Sequence, residues 1–231
     1  MTRLVMIKAF GFSLACGMVS STVWALGFDE LAIFLASDQQ QVSQRIRNPA
    51  ASAKLVTVKV EPMDSPETMN VIAITSQQRD ELLFTPSRLI LPAGGDFHVR
   101  FIYQGPKDDK ERYYKITWDG VDVKKKNEDS SSPQVQSMIE TRISISTTLV
   151  VLPRHARYDY HFDNQKISNS GNATLELSAS GPCLDKAKKH CNEVFPLLPG
   201  KTKAFKEVDL ASKEAVVMMW KNKKGELLKH Q

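Results

Sequence analysis

The sequence predicts an all-β protein built as two β-sandwiches in series. Three observations carry this. Short runs of β-branched and aromatic residues alternate with clusters of Gly, Pro, Asn and Asp. Helical periodicity is weak throughout. Pro153, closing TTLVVLP, divides a longer set of strand-like runs from a shorter one. Two packed sheets per domain is the economical way to bury such strands.

The elements follow in chain order. The first 25 residues read as an export signal. Arg3 and Lys8 give the positive start, 9–23 is apolar or small, and Ala25 ends a small-residue cleavage site. The apolar stretch falls short of the ~20 residues that span a bilayer. A lipoprotein signal at Cys16 is the rival reading, but Ser13 stands where such a signal wants Leu. Cleavage leaves 206 of 231 residues and lowers the formal charge from +5 to +3 by removing Arg3 and Lys8. That length suits one large domain or two small ones. The charge is mildly basic and is no nucleic-acid footprint. No later segment is long and apolar enough to cross a membrane, so the mature chain is expected to be soluble and exported.

Strand-like runs follow at 31–35, 42–46 and 55–60. The tract 80–118 reads as strand, turn, strand, Gly-Pro loop, charged loop and strand. Pro92-Ala93-Gly94-Gly95-Asp96 breaks an apolar run, and Gly105-Pro106 closes the next. Residues 127–133, NEDSSSP, are a polar loop. Beyond Pro153, runs at 158–162, 173–179, 203–208 and 215–220 make the second sandwich. Asn169-Ser170-Gly171-Asn172 has the residues of a tight turn. Cys183 and Cys191 are an even pair in an oxidising compartment once Cys16 leaves with the signal. A disulfide between them is expected; a metal site drawing on His190 matches no zinc spacing.

The run 135–152 carries the physical clue to function. Ile139, Thr141, Ile143, Ile145, Thr147, Leu149 and Val151 share one face of an extended strand. Met138, Glu140, Arg142, Ser144, Ser146, Thr148 and Val150 share the other. The whole run reaches ~55 Å, more than one small sandwich needs. An overhang could donate itself to another protein's sheet. The bland alternative is a half-buried strand that only closes its own sandwich.

DELLFTP, LILPA, VRFIYQGP, KERYYKITW, TLVVLPR, SNSGNATL, GPC and LLPGK occur in order along nearly all of the mature chain. In these motifs the chain resembles the pilus-assembly chaperones, and within them those of the common pilus (the Ecp, or Mat, system). The resemblance implies two immunoglobulin-like domains, 26–153 and 154–231, and residence in the periplasm. It implies pilin subunits as partners, an outer-membrane usher, no cofactor and no enzymatic activity. The last first-domain strand would be lent to an incomplete pilin, with Ile139, Thr141, Ile143 and Ile145 as donor residues. Related chaperones hold the subunit's terminal carboxylate with an Arg on the first strand and a Lys on the donor strand. Here Thr148 and LAIFL supply neither. Arg100, Arg142 or Arg154 could substitute, Arg154 being preferred. The family's interdomain Glu–Arg–Asp cluster would fall on Glu111, Arg154 and Asp209, and so competes for the same arginine.

An enzyme finds no support. The five histidines are scattered, and no nucleophile elbow, phosphate loop or zinc-protease motif occurs. A pilus subunit or adhesin is one alternative, but its N-terminal donor segment would alternate better than LGFDELAIFLASDQQQ does. A periplasmic ligand-binding sandwich is another, which a deep polar pocket would favour. An exposed donor edge also admits self-association through capping by a second copy.

Overall fold

The structure, a computed structural model, describes residues 25–73, 80–123, 142–221 and 224–228. Every named element among them is a strand. Those before Pro153 are β1 (Gly27–Phe28), β2 (Ala32–Leu35), β3 (Gln41–Arg47), β4 (Lys54–Met63), β5 (Leu82–Thr85), β6 (Arg88–Leu91), β7 (Asp96–Tyr103), β8 (Arg112–Asp122) and β9 (Arg142–Val151). After it come β10 (Tyr160–Asp163), β11 (Lys166–Asn169), β12 (Leu175–Gly181), β13 (Cys191–Leu197), β14 (Thr202–Ala204), β15 (Val216–Lys221) and β16 (Lys224–Leu228).

The first nine strands form two facing sheets, β1-β3-β7-β5 and β2-β9-β8-β4-β6. In the second sheet Val56 opposes Gly120, Val58 opposes Trp118 and Val60 opposes Ile116. Side-chain alternation turns these residues to one face. They meet Ile46, Val99 and Phe101 of the opposite sheet in one core. Trp118 is fully buried at its centre, 5.2 Å from the Phe28 ring and edge-on to Phe101 at 6.4 Å. Such pairs contribute about 0.5–1.5 kcal/mol beyond burial alone. The break read at Pro92 is a turn in which the Gly95 N–H donates to the Pro92 carbonyl (3.1 Å) and Gly94 takes φ +67°. That left-handed backbone is where glycine is free and other residues are strained.

The later strands form sheets β10-β11-β14 and β13-β12-β15-β16 around a separate core. Along β12, Leu175, Leu177 and Ala179 point inward. Cys183 and Cys191 are bonded, with Cα atoms 5.1 Å apart. The run 203–208 is only partly strand. β14 ends at Ala204, and a single bridge, Cys183 to Val208, follows. Strand β13 was not among the sequence-read runs. Pro196 interrupts its alternation and confines it to the sheet edge, where a missing N–H costs nothing.

The turn at Asn169 is real but closes no hairpin. Strands β11 and β12 lie in different sheets, so the segment crosses between them. Asn169 is buried, donating to the Ala173 and Leu197 carbonyls (2.9 and 2.8 Å) and accepting from the Gly171 N–H (2.9 Å). A Cβ at Gly171 would collide with the Arg157 carbonyl oxygen, so the crossing needs glycine there.

Candidate functional site

Strand β9 is paired along its whole described length on one side and for less than half of it on the other. Its antiparallel ladder with β8 runs from Arg142 opposite Val121 to Val151 opposite Arg112. On the other side β2 pairs in parallel only from Thr148 to Val151. The Thr148 N–H donates to the Leu31 carbonyl (2.8 Å) and the Leu152 N–H to the Leu35 carbonyl (3.0 Å). Backbone groups alternate between edges along a strand. The N–H and C=O groups of Arg142, Ser144 and Ser146 therefore point to the same edge as those of Thr148. Among the described residues no strand occupies that stretch.

The side chains there are half finished in the same sense. Thr147, Leu149 and Val151 are buried, whereas Ile143 and Ile145 are half-buried. Ile145 rests on the rim of the first core, and Ile143 lies opposite Gly120, which offers no side chain to cover it. Ile139 and Thr141, the other expected donor residues, lie outside the described residues. A polar chain anchors the strand where its covered part begins. Trp118 Nε1 donates to Thr147 Oγ1 (2.9 Å), Thr147 Oγ1 donates to Gln44 Oε1 (3.1 Å), and Gln44 Nε2 donates to the Glu30 carbonyl (2.9 Å).

The charged residues expected at the domain junction are not brought together. Glu111 is half-buried at the junction, and its carboxylate accepts from the Thr174 N–H (3.0 Å), Thr174 Oγ1 (2.7 Å) and the Tyr113 hydroxyl (2.8 Å). Burial pushes its carboxyl above the ordinary glutamate value, against the pull of those donors. Arg154 is exposed, and its side chain makes no hydrogen bond or ion pair among the described residues. Asp209 lies in a second-domain loop, where its carboxylate accepts from the Ala211 N–H (3.0 Å). No described ion pair joins the three. The physical reason is that neutral donors from Thr174 and Tyr113 already satisfy Glu111, so the junction needs no cation.

Arg154 stands instead beside a cavity of about 130 Å³ with Lys107, Asp108 and Arg112. Arg112 chelates Asp108 through both guanidinium nitrogens (2.6 and 2.8 Å), which holds the Asp108 carboxyl down at about 2. Among the described residues, Arg154 and Lys107 are the cations of that cavity whose side chains have no ion-pair partner. Sequence reading missed the remaining clasp between the domains. Asn172 Nδ2 donates to the Asp109 and His155 carbonyls (3.0 and 3.1 Å), and Asp109 accepts from the His155 N–H (3.0 Å). Partners 63 residues apart, such as Glu111 and Thr174, leave no spacing signal to read.

Comparison with known proteins agrees with this geometry. Residues 25–154 match the family model of the pili and flagellar-assembly chaperone PapD N-terminal domain, and 158–226 match that of the EcpB C-terminal domain. The chain is 37% identical over 205 residues to a probable fimbrial chaperone EcpB of Escherichia coli strain K12, covering 88% of this chain and 91% of that one. Among solved structures, the periplasmic chaperone SfaE has a TM-score of 0.53 at 14% identity, covering 89% of this chain and 97% of that one. The Salmonella enterica SafB chaperone, solved in complex with the SafA pilin, gives the same score and identity over 91% and 96%. At that identity the structures speak for the fold, two immunoglobulin-like domains in series. On the strength of both family models and the EcpB relative, the chain belongs to the periplasmic pilus-assembly chaperones, a family without enzymatic activity.

Proposed function

We propose that this chain is a fimbrial chaperone that lends the open edge of β9 to incomplete pilin subunits. The observation that carries this is the one-sided stretch from Arg142 to Thr147. It offers backbone donors and acceptors along one edge and half-covered Ile143 and Ile145 on one face. An incomplete sandwich has the complementary defect. Leaving its backbone groups buried without partners costs roughly 1–3 kcal/mol each. An added strand satisfies them and covers the apolar face that would otherwise drive aggregation. The solved SafB–SafA complex shows a chaperone of this fold holding a pilin.

Several finer assignments belong to the same reading. The donor set extends N-terminally through Thr141 to Ile139. Domains of 26–153 and 154–231 follow a signal peptide cleaved after Ala25, and an outer-membrane usher receives the complex. Arg154 is the candidate anchor for a subunit carboxylate, lining its cavity beside Lys107 with no ion-pair partner among the described residues.

The test is co-purification with an incomplete pilin expressed in the periplasm. Ile143→Asp places an unpaired carboxylate where the subunit core would close, a cost of roughly 3 kcal/mol or more, or about a hundredfold in affinity. The free variant is expected to keep its circular dichroism and to recover no pilin. Wild-type recovery by the folded variant would remove β9 from the binding site.

A further inference from the structure

The open edge of β9 ends where β2 begins. From Thr148 onward β2 takes that edge, starting with the Leu31 carbonyl that accepts from the Thr148 N–H (2.8 Å). A guest strand paired along 142–147 must therefore leave the sheet at this point. Inward exit is closed, because the hydrogen-bonded chain of Trp118, Thr147 and Gln44 fills the core side. Outward exit leads into a groove between the two domains, which holds a cavity of about 480 Å³. Ala32 of β2 with Thr148 and Val150 of β9 form one wall. Val194, Pro196 and Trp220, on the outward face of the second domain's larger sheet, form the other. Val194 is 80% exposed and Trp220 42%. The indole is held in place. Its N–H donates to Ser178 Oγ (2.9 Å), and its ring lies so close to Gly225 that a Cβ there would come within 3.3 Å of it.

We propose that this cavity seats an apolar side chain of the pilin, from the segment adjoining the strand paired to β9. The inference rests on the reading of β9 as the subunit-binding strand, and it adds a second hold, on the other domain. Apolar surface selects the occupant. Alkyl and ring groups make up most of the described walls, and apolar area removed from water on both sides is what stabilises such a contact. A charged side chain entering here would shed its water against those groups, the costlier course. The platform is also ready-made. An indole already fixed by Ser178 and Gly225 loses little freedom when a guest packs on it, and fixed aromatic residues are the usual anchors of an interface. Glu176 also lines the cavity. It is half-buried and borders an adjoining cavity of about 410 Å³, which leaves it a wet side when the pocket fills. The pilin is thereby held by backbone pairing on the first domain and by one inserted side chain against the second.

The experiment measures dissociation of the complex between the full mature chain and a co-expressed incomplete pilin. Val194→Asp should speed dissociation about tenfold or more, and Val194→Leu should leave it near the wild-type rate. Both free variants are expected to keep their circular dichroism, because Val194 is exposed. Unchanged dissociation of Val194→Asp overturns the inference. Ala32→Arg should also speed dissociation; slower dissociation would reveal a carboxylate occupant and overturn it. Fluorescence gives an independent arm that needs no variant. With a tryptophan-free pilin, Trp220 emission should shift to the blue as the complex forms, whereas Trp118 is already buried. A wild-type complex whose emission does not shift overturns the inference. The two readings fail separately. Loss of binding in Ile143→Asp with no effect of Val194→Asp would leave β9 as the binding strand and remove the second hold. Failure of the wild-type chain to form any complex would overturn the β9 reading itself, and this inference with it.

Discussion

At Thr147 a single hydroxyl decides how β9 leaves its sheet. It accepts from Trp118 and donates to Gln44, tying β8, β9 and β3 together inside the first core. Replacing it with the near-isosteric valine keeps the volume but strands the indole N–H and the Gln44 oxygen. Each buried orphan costs roughly 1–3 kcal/mol, so Thr147→Val should lower first-domain stability by about 2 kcal/mol or more. Urea unfolding followed by Trp118 emission would show it, and an unchanged midpoint would mean the chain of bonds contributes nothing. The sequence pattern placed Thr147 on the apolar face correctly and could not show this role, because Gln44 lies 103 residues away. The same limit applies at Glu111. Its burial and its partner Thr174 arise only once the two domains meet, whereas its neighbour Tyr113 was read simply as the start of a strand.

Elements with an uninterrupted alternation were legible, and those whose order comes from a partner were not. β4, β8 and β12 pack through every second residue, and their apolar runs announced them. β13 is held mainly by its neighbour β12 and by the disulfide at its first residue, so Asn192, Glu193 and Pro196 hid it. This predicts where the disulfide acts. It closes a loop with a sequence separation of 8 whose interior is largely exposed. In the chain-entropy model such a loop is worth ~2–3 kcal/mol. Cys183→Ala with Cys191→Ala should therefore destabilise the second domain by about that amount. Trp220 emission should report the loss while Trp118, in the other core, reports little. Equal loss at both tryptophans would show that the domains unfold as one unit.

The molecule as a whole is two apolar cores joined by a polar seam, and the seam gives it a pH dependence with a defined sign. The cores share no residue. Between them Glu111, Asp109, Asn172 and Thr174 meet through hydrogen bonds. Burial raises the Glu111 carboxyl above its unfolded value, so the folded chain holds that proton more tightly than the unfolded chain does. Its contribution is fully present below the ordinary glutamate value and is lost as pH rises through the raised one. Asp108 runs the opposite way: held at about 2 by Arg112, it stabilises above the ordinary aspartate value and loses this as pH falls toward 2. Glu111→Gln separates the two. Glutamine still accepts from Thr174 but carries no charge to desolvate, so the variant should gain on the wild type as pH climbs above the ordinary glutamate value. The acid limb set by Asp108 should remain in both. Chemical unfolding across a pH series would read the difference, and parallel wild-type and variant curves would mean that the seam carries no buried titrating charge.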